Sequence, residues 1–253
     1  GTVDGFVVEG PTAGGHNAPP RGAPMFSESG EPIYGPKDVV DLAKIREIGR
    51  PFWLAGGYGH PDRLREALSL GAAGVQVGTA FAMSQDSGYA DDLRRETLDA
   101  IMKGNTYVRT DPLASPTGFP FKVVSVAGTN SEQDVYLQRK RICDLGYLRT
   151  PYLKDGGEIG YRCAAEPEKD YVAKGGKIED TVGRKCLCNA LMANIGHGQM
   201  QKGNELELPV VTAGDDVAVV RELVNLHGPQ YTAQNVLDFI LAGLDDTDRS
   251  ATT

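Results

Sequence analysis

PFWLAGGYGHPDRLREALSLGAAGVQVGTAF, residues 51–81, contains two short apolar runs that are separated by an amphipathic segment. The runs cover residues 52–55 and 74–77. Pro61 suits the first position of a helix and Gly71 suits its end, so the segment between the runs predicts a helix. Because the apolar runs carry no alternating polar face, they are typical of parallel strands covered on both sides. The stretch therefore predicts a parallel α/β sheet.

Each of these two strands is followed by a glycine turn, Gly56-Gly57 after the first and Gly78-Thr79 after the second. Glycine lets the backbone approach a ligand closely, and the exposed N–H groups can hold a phosphate. In (β/α)8 barrels the phosphate site is commonly built by the loops after strands seven and eight. Ordinary βα turns of any other α/β protein would have the same sequence pattern. The turns alone therefore fit either a phosphate site or two turns without a ligand.

A third apolar run, residues 5–9, leads into the glycine-rich loop PTAGGHNAPPRG, residues 11–22. His16 follows Gly14-Gly15 in this loop, at the carboxyl end of its strand, where ligands of such sheets bind. Its imidazole titrates near neutrality, which suits a general base or a proton donor. A loop histidine that is hydrogen-bonded to backbone is the alternative.

Composition narrows the classes of function. The 253-residue chain has a net charge of −8, which disfavours nucleic acid or an anionic membrane as the main partner. No apolar run approaches the roughly 20 residues that span a bilayer, and no secretory signal is visible. Four cysteines in a chain of this length do not form a disulfide framework. We therefore expect a reduced, cytoplasmic setting.

The remaining segments predict a mixture of helices and loops. Residues 23–36 predict a polar loop, which would be either a lid or a surface excursion. Residues 109–124 predict an extended segment over the surface or rim of the fold. Residues 245–253 predict a frayed tail. Further helices are predicted by apolar spacing and capping residues: residues 36–48, 89–103, Ser131 to Ile142, part of 183–199, Asp215 to Leu226, and 233–241 after Thr232.

Three motifs in this order carry a family resemblance: VVEGPTAGGH at residues 7–16, PFWLAGG at 51–57 and GVQVGTAF at 74–81. Together they resemble the FMN-dependent nitronate monooxygenases, also called 2-nitropropane dioxygenase-like proteins. The related FMN-dependent enoyl-acyl-carrier-protein reductases share the pattern. The resemblance covers about residues 3–125 and implies strands six to eight of an FMN-binding (β/α)8 barrel.

A complete barrel takes about 250 residues, so five units would be missing and the chain would be the C-terminal part of a longer protein. We accordingly predict two regions. Residues 1–128 would be the partial barrel with its rim segment, and residues 129–253 a mostly helical, loop-rich C-terminal region.

The resemblance also implies roles for individual residues. His16 would be the catalytic histidine beside the flavin. Glu9 stands where members of the family often carry glutamine. The cofactor-binding residues would fall into groups. Gly56, Gly57, Gly78 and Thr79 would hold the FMN phosphate, Gln76 and Val77 would line the same edge, and Glu9 and Gly14 would lie along the flavin. Gly15 would also be a cofactor-binding residue.

The predicted activity is oxidation of nitroalkanes or nitronates, with O2 reoxidising FMN. His16 would then take a carbon-bound proton or orient a nitronate. In the alternative activity, reduction of an enoyl thioester, His16 would position or protonate the substrate. A non-catalytic accessory subunit is the alternative from a different class of function. The sequence leaves the oligomeric state open.

All four cysteines, Cys143, Cys163, Cys186 and Cys188, lie in the second region. Soft thiolates suit zinc or an iron–sulfur cluster, with His197 as a further candidate ligand. The CxC pair is not the usual spacing of a structural zinc site, so we favour free thiols that pack as small hydrophobes. The basic residues 139–141 predict a solvated helix face.

Overall fold

A computed structural model describes residues 1–201 and 205–244. The predicted fraying of residues 245–253 lies outside this range. Seven strands are found in the described chain: β1 Phe6–Glu9, β2 Phe52–Ala55, β3 Gly74–Gln76, β4 Val108–Asp111, β5 Phe121–Val124, β6 Thr150–Leu153 and β7 Ile159–Arg162. The α-helices of the same residues are α1 Leu42–Glu47, α2 Pro61–Ser69, α3 Thr79–Ala82, α4 Asp91–Met102, α5 Gln133–Gln138, α6 Glu168–Ala173, α7 Leu187–Asn194, α8 Ala218–His227 and α9 Ala233–Leu241.

The chain divides into two compact units whose bounds differ from the predicted boundary at residue 128. The first unit holds residues 1–23, 34–105 and the described residues from Ala213 onward, and the second holds residues 24–33 and 106–212. The last two helices return to the first unit because α9 packs on α2 and α8 packs on α4. These contacts link segments that are far apart in sequence, so local sequence patterns do not predict them.

The first unit contains the predicted parallel sheet, in the order β1-β2-β3. The strand residues on one face pack with α1 and α2 in a core that includes Phe52, Leu54 and Ala67. Since α1 and α2 both cover this face, the sheet gains its hydrophobic stabilisation from one side.

The opposite face is only partly covered in the described chain, contrary to the expectation of two covered faces. Val7 is 49% exposed, and Glu9 and Gln76 are exposed as well. Trp53 lies across this face: a Cβ on Gly5 would come within 2.6 Å of its ring, and one on Gly74 within 3.1 Å. Glycine at both positions therefore leaves room for the indole.

A second core of the first unit joins the C-terminal helices to α3 and α4. Leu223 and Val236 are fully buried with Leu98 and Ile101. Tyr231 Oη donates to the Ala80 carbonyl at 2.8 Å. Thr232 caps α9, as predicted, and its hydroxyl accepts from the Asn235 N–H.

Three predicted helices begin at other residues than expected. The helix expected over residues 36–48 is split into a 3₁₀ turn, Pro36–Asp38, and α1, whose N-cap Asp41 accepts from the N–H groups of Ala43 and Lys44. Asp215 does not cap α8, which starts after Val217. Ser131 does not cap α5 either, since its Oγ accepts from the Val211 N–H at 2.8 Å.

The second unit consists of two antiparallel hairpins, β4-β5 and β6-β7, with α5, α6 and α7. Phe121 and Val123 pack with Leu187 and Ala190 in its core. The segment 109–124, expected to run extended over the rim of the sheet, thus forms a hairpin with a core of its own.

The polar loop predicted over residues 23–36 is held within this second unit for most of its length. Its residues 24–33 belong to the unit, and Glu31 Oε1 accepts from the Thr110 N–H at 2.8 Å. The Tyr107 hydroxyl also bonds to Glu31. The loop is therefore anchored by a carboxylate that joins it to β4.

The basic residues 139–141 are not a solvated helix face, because α5 ends at Gln138. Arg139 instead pairs with the buried Glu207, donating from Nε and Nη2 at 2.6 and 2.7 Å. Asn130 Nδ2 donates to the same carboxylate at 3.0 Å. A buried charge needs such a partner, and here it lies 68 residues away in the sequence.

None of the helices in the described residues is long and apolar enough to cross a membrane.

Candidate functional site

The strand register brings the predicted turns to one edge of the sheet. Glu9 pairs with Ala55, and Ala55 pairs with Gln76, so the three strands end side by side. The residues that follow, including Gly56 and Val77, therefore leave the sheet at its carboxyl edge. Ligands of parallel α/β sheets bind outside this edge.

The loop after β1 is folded on itself around His16. Ala13 N donates to the Gly10 carbonyl at 3.2 Å, and the side chain of Asn17 donates to the Ala13 carbonyl at 3.1 Å. Asn17 is buried, and Gly15 adopts a positive φ of 77°. His16 is thus held between a glycine turn and a buried anchor, which limits the positions that its imidazole can reach.

Thr12 connects this loop to the turn after β2. Gly10 N donates to the Ala55 carbonyl at 3.1 Å, which places Thr12 against Gly56. A Cβ on Gly56 would lie 2.9 Å from Thr12 Oγ1 and 3.0 Å from Ala13 N. Gly56 also has a φ of 91°, so both space and backbone conformation require glycine there.

We predict that Gly56→Ala lowers the free energy of unfolding by about 1–3 kcal/mol, the cost of a strained non-glycine residue, with the Thr12 contact added. Gly57→Ala is the matched control, because Gly57 also has a positive φ, 77°, but its Cβ would lie at an ordinary 3.7 Å from Thr12 Oγ1. Urea denaturation of both variants separates the two effects. If both variants lose the same free energy of unfolding, the contact with Thr12 contributes nothing to the requirement for glycine at position 56.

A segment that sequence reasoning missed, Ala213 to Asp215, joins the loop after β1 to Thr79. Gly214 N donates to Thr79 Oγ1 at 2.8 Å, and Asp215 N donates to the Thr12 carbonyl at 3.0 Å. A Cβ on Gly214 would lie 2.8 Å from that carbonyl. The glycine at 214 was the available signal, but its partners lie more than 130 residues earlier in the sequence.

These contacts bring the predicted turns together. The loop after β1 touches the Gly56-Gly57 turn through Thr12, and the segment around Gly214 bonds to both Thr12 and Thr79. The backbone groups at the edge therefore form one continuous surface. The roles of the individual residues at this surface stay predictions.

Desolvation shifts the pKa values of two groups near this edge, His16 and Glu9. Desolvation lowers the pKa of the half-buried His16 below its ordinary 6.5, which favours the neutral imidazole. The side chain of Glu9 is exposed, yet partial desolvation raises its pKa above 4.5. At neutral pH, the imidazole of His16 is therefore mostly neutral.

A cleft of about 710 Å³ opens beside the Gly56-Gly57 turn, but its lining does not suit a phosphate. Its basic side chains, His60 and Arg63, are outnumbered by carboxylates, and neither Gly78 nor Thr79 reaches it. His60 caps α2 by accepting from the Asp62 N–H at 3.2 Å, in agreement with the predicted helix start. The acidic lining consists of Asp62, Glu66, Asp215, Asp216 and Glu222.

The Gly78-Thr79 turn, which does not line this cleft, carries groups that fit a phosphate such as that of FMN. A Cβ on Gly78 would meet no atom within 4 Å, so the backbone there borders open space. Thr79 Oγ1 accepts from Gly214 N and keeps its own O–H as a donor. An open glycine backbone and a hydroxyl donor are suitable groups for an anion.

The cysteines lie in the second unit. Cys163 and Cys186 are buried together with Ala165, Cys143 packs against them half-buried, and Cys188 is half-buried outside this cluster. All four are free thiols. In the described part of the chain, no three His, Cys, Asp or Glu side chains are grouped so that they could hold a metal ion.

The carboxyl edge of a parallel α/β sheet, where the glycine turns of this chain meet, is the place where ligands of such proteins bind. Residues 1–110, which are less than half of the chain, match the family model described as nitronate monooxygenase, so this part of the chain is similar to that family.

Curated proteins match the same part of the chain. A probable nitronate monooxygenase of Staphylococcus aureus is 36% identical over 104 residues, which are 40% of this chain and 26% of that protein. A dehydrogenase of Rhodococcus jostii, named for a hydroxy-methyl-oxo-octahydro-indene-carboxyl-CoA substrate, is 29% identical over 129 residues, 51% of this chain and 31% of the relative. The matched segments thus span about a third of these relatives or less.

Two solved structures are also similar. FabK from Thermotoga maritima is 17% identical with a TM-score of 0.49, over 98% of this chain and 57% of that one. Nitroalkane oxidase from Streptomyces ansochromogenes is 18% identical with a TM-score of 0.43, over 99% and 54%.

Proposed function

We propose that the chain belongs to an FMN-dependent oxidoreductase of the nitronate monooxygenase type. Gly56, Gly57, Gly78 and Thr79 would hold the FMN phosphate through backbone N–H groups and a hydroxyl. The observation that carries this proposal is the meeting of three turns at one sheet edge, joined by Thr12 and Gly214.

The sheet is proposed to be strands six to eight of a (β/α)8 barrel. The helices of such a barrel lie outside and its side chains fill the interior. The two faces of the sheet in the first unit support this proposal, because α1 and α2 pack on one face while the other face presents Val7 and Trp53. In the proposal, the face with Trp53 is the inside of the barrel, and Gln76 and Val77 border the flavin at its edge.

His16 is proposed as the general base. Bound FMN would supply an acceptor for two electrons at its ring. The neutral imidazole of His16, favoured by burial, takes the carbon-bound proton of a nitroalkane or orients a nitronate. Gly14 and Gly15 keep the backbone before His16 free of side chains, and Glu9 lies on the strand that leads to it.

A second candidate, reduction of an enoyl thioester, is supported by one comparison. The Rhodococcus relative is named for a coenzyme A thioester, which differs chemically from a nitroalkane. In this reaction His16 would position or protonate the thioester substrate, and the electrons would come from a nicotinamide cofactor.

One substrate panel separates the candidates, with the FMN-loaded protein as the sample. Oxygen uptake with a nitroalkane, and no NADPH oxidation with an enoyl thioester, supports the monooxygenase. The reverse pattern supports the reductase. A protein that stays colourless with added FMN would contradict both and favour an accessory subunit.

A further inference from the structure

The cysteine cluster of the second unit carries a chemistry that the proposed flavin site does not use. Cys143 contacts the buried pair Cys163 and Cys186. Cys163 directly follows β7 and starts a turn in which Glu166 N donates to its carbonyl at 2.9 Å. The turn fixes the backbone of Cys163, while Cys143 lies on a separate loop with its side chain half-buried.

An arginine is folded back onto Cys143. Arg149 Nη2 donates to the Cys143 carbonyl at 3.3 Å. Gly146, with a φ of 70°, makes room for this, because a Cβ there would lie 2.6 Å from the guanidinium. A guanidinium beside a sulfur stabilises the thiolate.

The thiols of the cluster are therefore not equivalent. Hydrogen bonds from the Cys163 thiol and the Arg149 side chain, together with the charge of Arg149, outweigh desolvation and lower the pKa of Cys143 to about 6. The same hydrogen bond and burial raise the pKa of Cys163, so its sulfur keeps its proton. Burial raises the pKa of Cys186 to about 11, which leaves it an inert thiol. The arrangement is one thiolate next to one protonated thiol.

We propose that Cys143 and Cys163 form a dithiol pair that hydroperoxides oxidise to a disulfide. The Cys143 thiolate attacks one peroxide oxygen, the O–O bond breaks, and the other oxygen leaves as water or an alcohol after taking up a proton. Cys143 is then a sulfenic acid. The Cys163 sulfur attacks the Cys143 sulfur, its proton leaves with the hydroxyl as water, and the S–S bond forms. Both cysteines together lose two electrons, which reduce the peroxide.

The pair is tested on the reduced full chain with hydrogen peroxide, acid quenching, alkylation of the remaining thiols and non-reducing peptide mapping. We expect a Cys143–Cys163 peptide that has lost two hydrogen atoms. It should form about tenfold faster than Cys188 is oxidised, because Cys188 lies outside the cluster. Oxidation of Cys188 first, or an oxidised Cys143 that never links to Cys163, would overturn the proposal.

The pH dependence separates a stabilised thiolate from simple exposure. The oxidation rate of Cys143 should reach half its maximum near pH 6. Arg149→Gln should move this midpoint upward by about one pH unit, whereas Lys169→Gln, which removes one exposed positive charge of the same unit, should leave it unchanged. A midpoint near 8.5, the ordinary thiol value, would contradict the assignment.

Cys163→Ser gives an independent reading, since Cys143 sulfenic acid should then accumulate and be trapped by dimedone. Failure to trap it in a folded variant would contradict the order of steps. If this variant does not fold, the peptide map and the pH profile of the unmodified chain decide the question.

Discussion

Replacement of His16 by alanine should lower turnover by about 10²–10⁴-fold while flavin binding is retained, the range for loss of a general base. His16 supplies a proton acceptor, whereas the proposed phosphate contacts come from other turns. Its position is fixed by Gly15 and by the bond from Asn17 to Ala13. Steady-state kinetics and the flavin absorbance of the same preparation provide the two readings.

His227→Ala is the control, because His227 is an exposed residue in the last turn of α8. It should leave turnover unchanged. A His16→Ala protein that holds flavin and turns over at the normal rate would remove His16 from the mechanism.

The pH profile of turnover gives a further expectation for His16. A base acts only while it is neutral, so activity should be lost as the pH falls through the pKa of His16 in the folded protein. Burial lowers this pKa, so the acid limb should lie below pH 6.5. The limb should be absent from whatever activity His16→Ala retains.

Gly78→Val should weaken FMN binding by about 100-fold or more, or about 2.7 kcal/mol. The backbone of Gly78 borders open space and its φ is −111°, so valine fits without a contact or a positive φ. Its side chain would nevertheless occupy the space through which a phosphate approaches the N–H groups. The fold should be unaffected, and fluorescence titration with FMN measures the loss.

Gly35→Val is the matched control in the same unit. A Cβ on Gly35 also meets no atom within 4 Å, and its φ is −129°. This variant should bind FMN as the unmodified chain does. Equal affinities for all three proteins would show that the phosphate does not lie at Gly78.

The sequence was sufficient to predict the parallel strands and their turns, because these depend on neighbouring residues. The apolar run before Gly56-Gly57 and the helix between Pro61 and Ser69 are local patterns. The register that aligns Glu9 with Ala55 was seen only in the structure.

Contacts between distant segments were not predictable in this way. Gly214 bonds to Thr79 across 135 positions, and Arg139 pairs with Glu207 across 68. A basic residue and a glycine give no sign of such partners in a single sequence. The requirement for glycine at 56 likewise became specific only when Thr12 was found beside it.

The binding of FMN compared with riboflavin, measured by fluorescence titration of the unmodified chain, tests the central claim most directly. The two molecules share the ring and differ in the phosphate, so backbone N–H groups at the turns should distinguish them. We expect FMN to bind about 100-fold more tightly or better, a difference of about 2.7 kcal/mol. Equal affinity for both flavins would contradict a phosphate site at these turns.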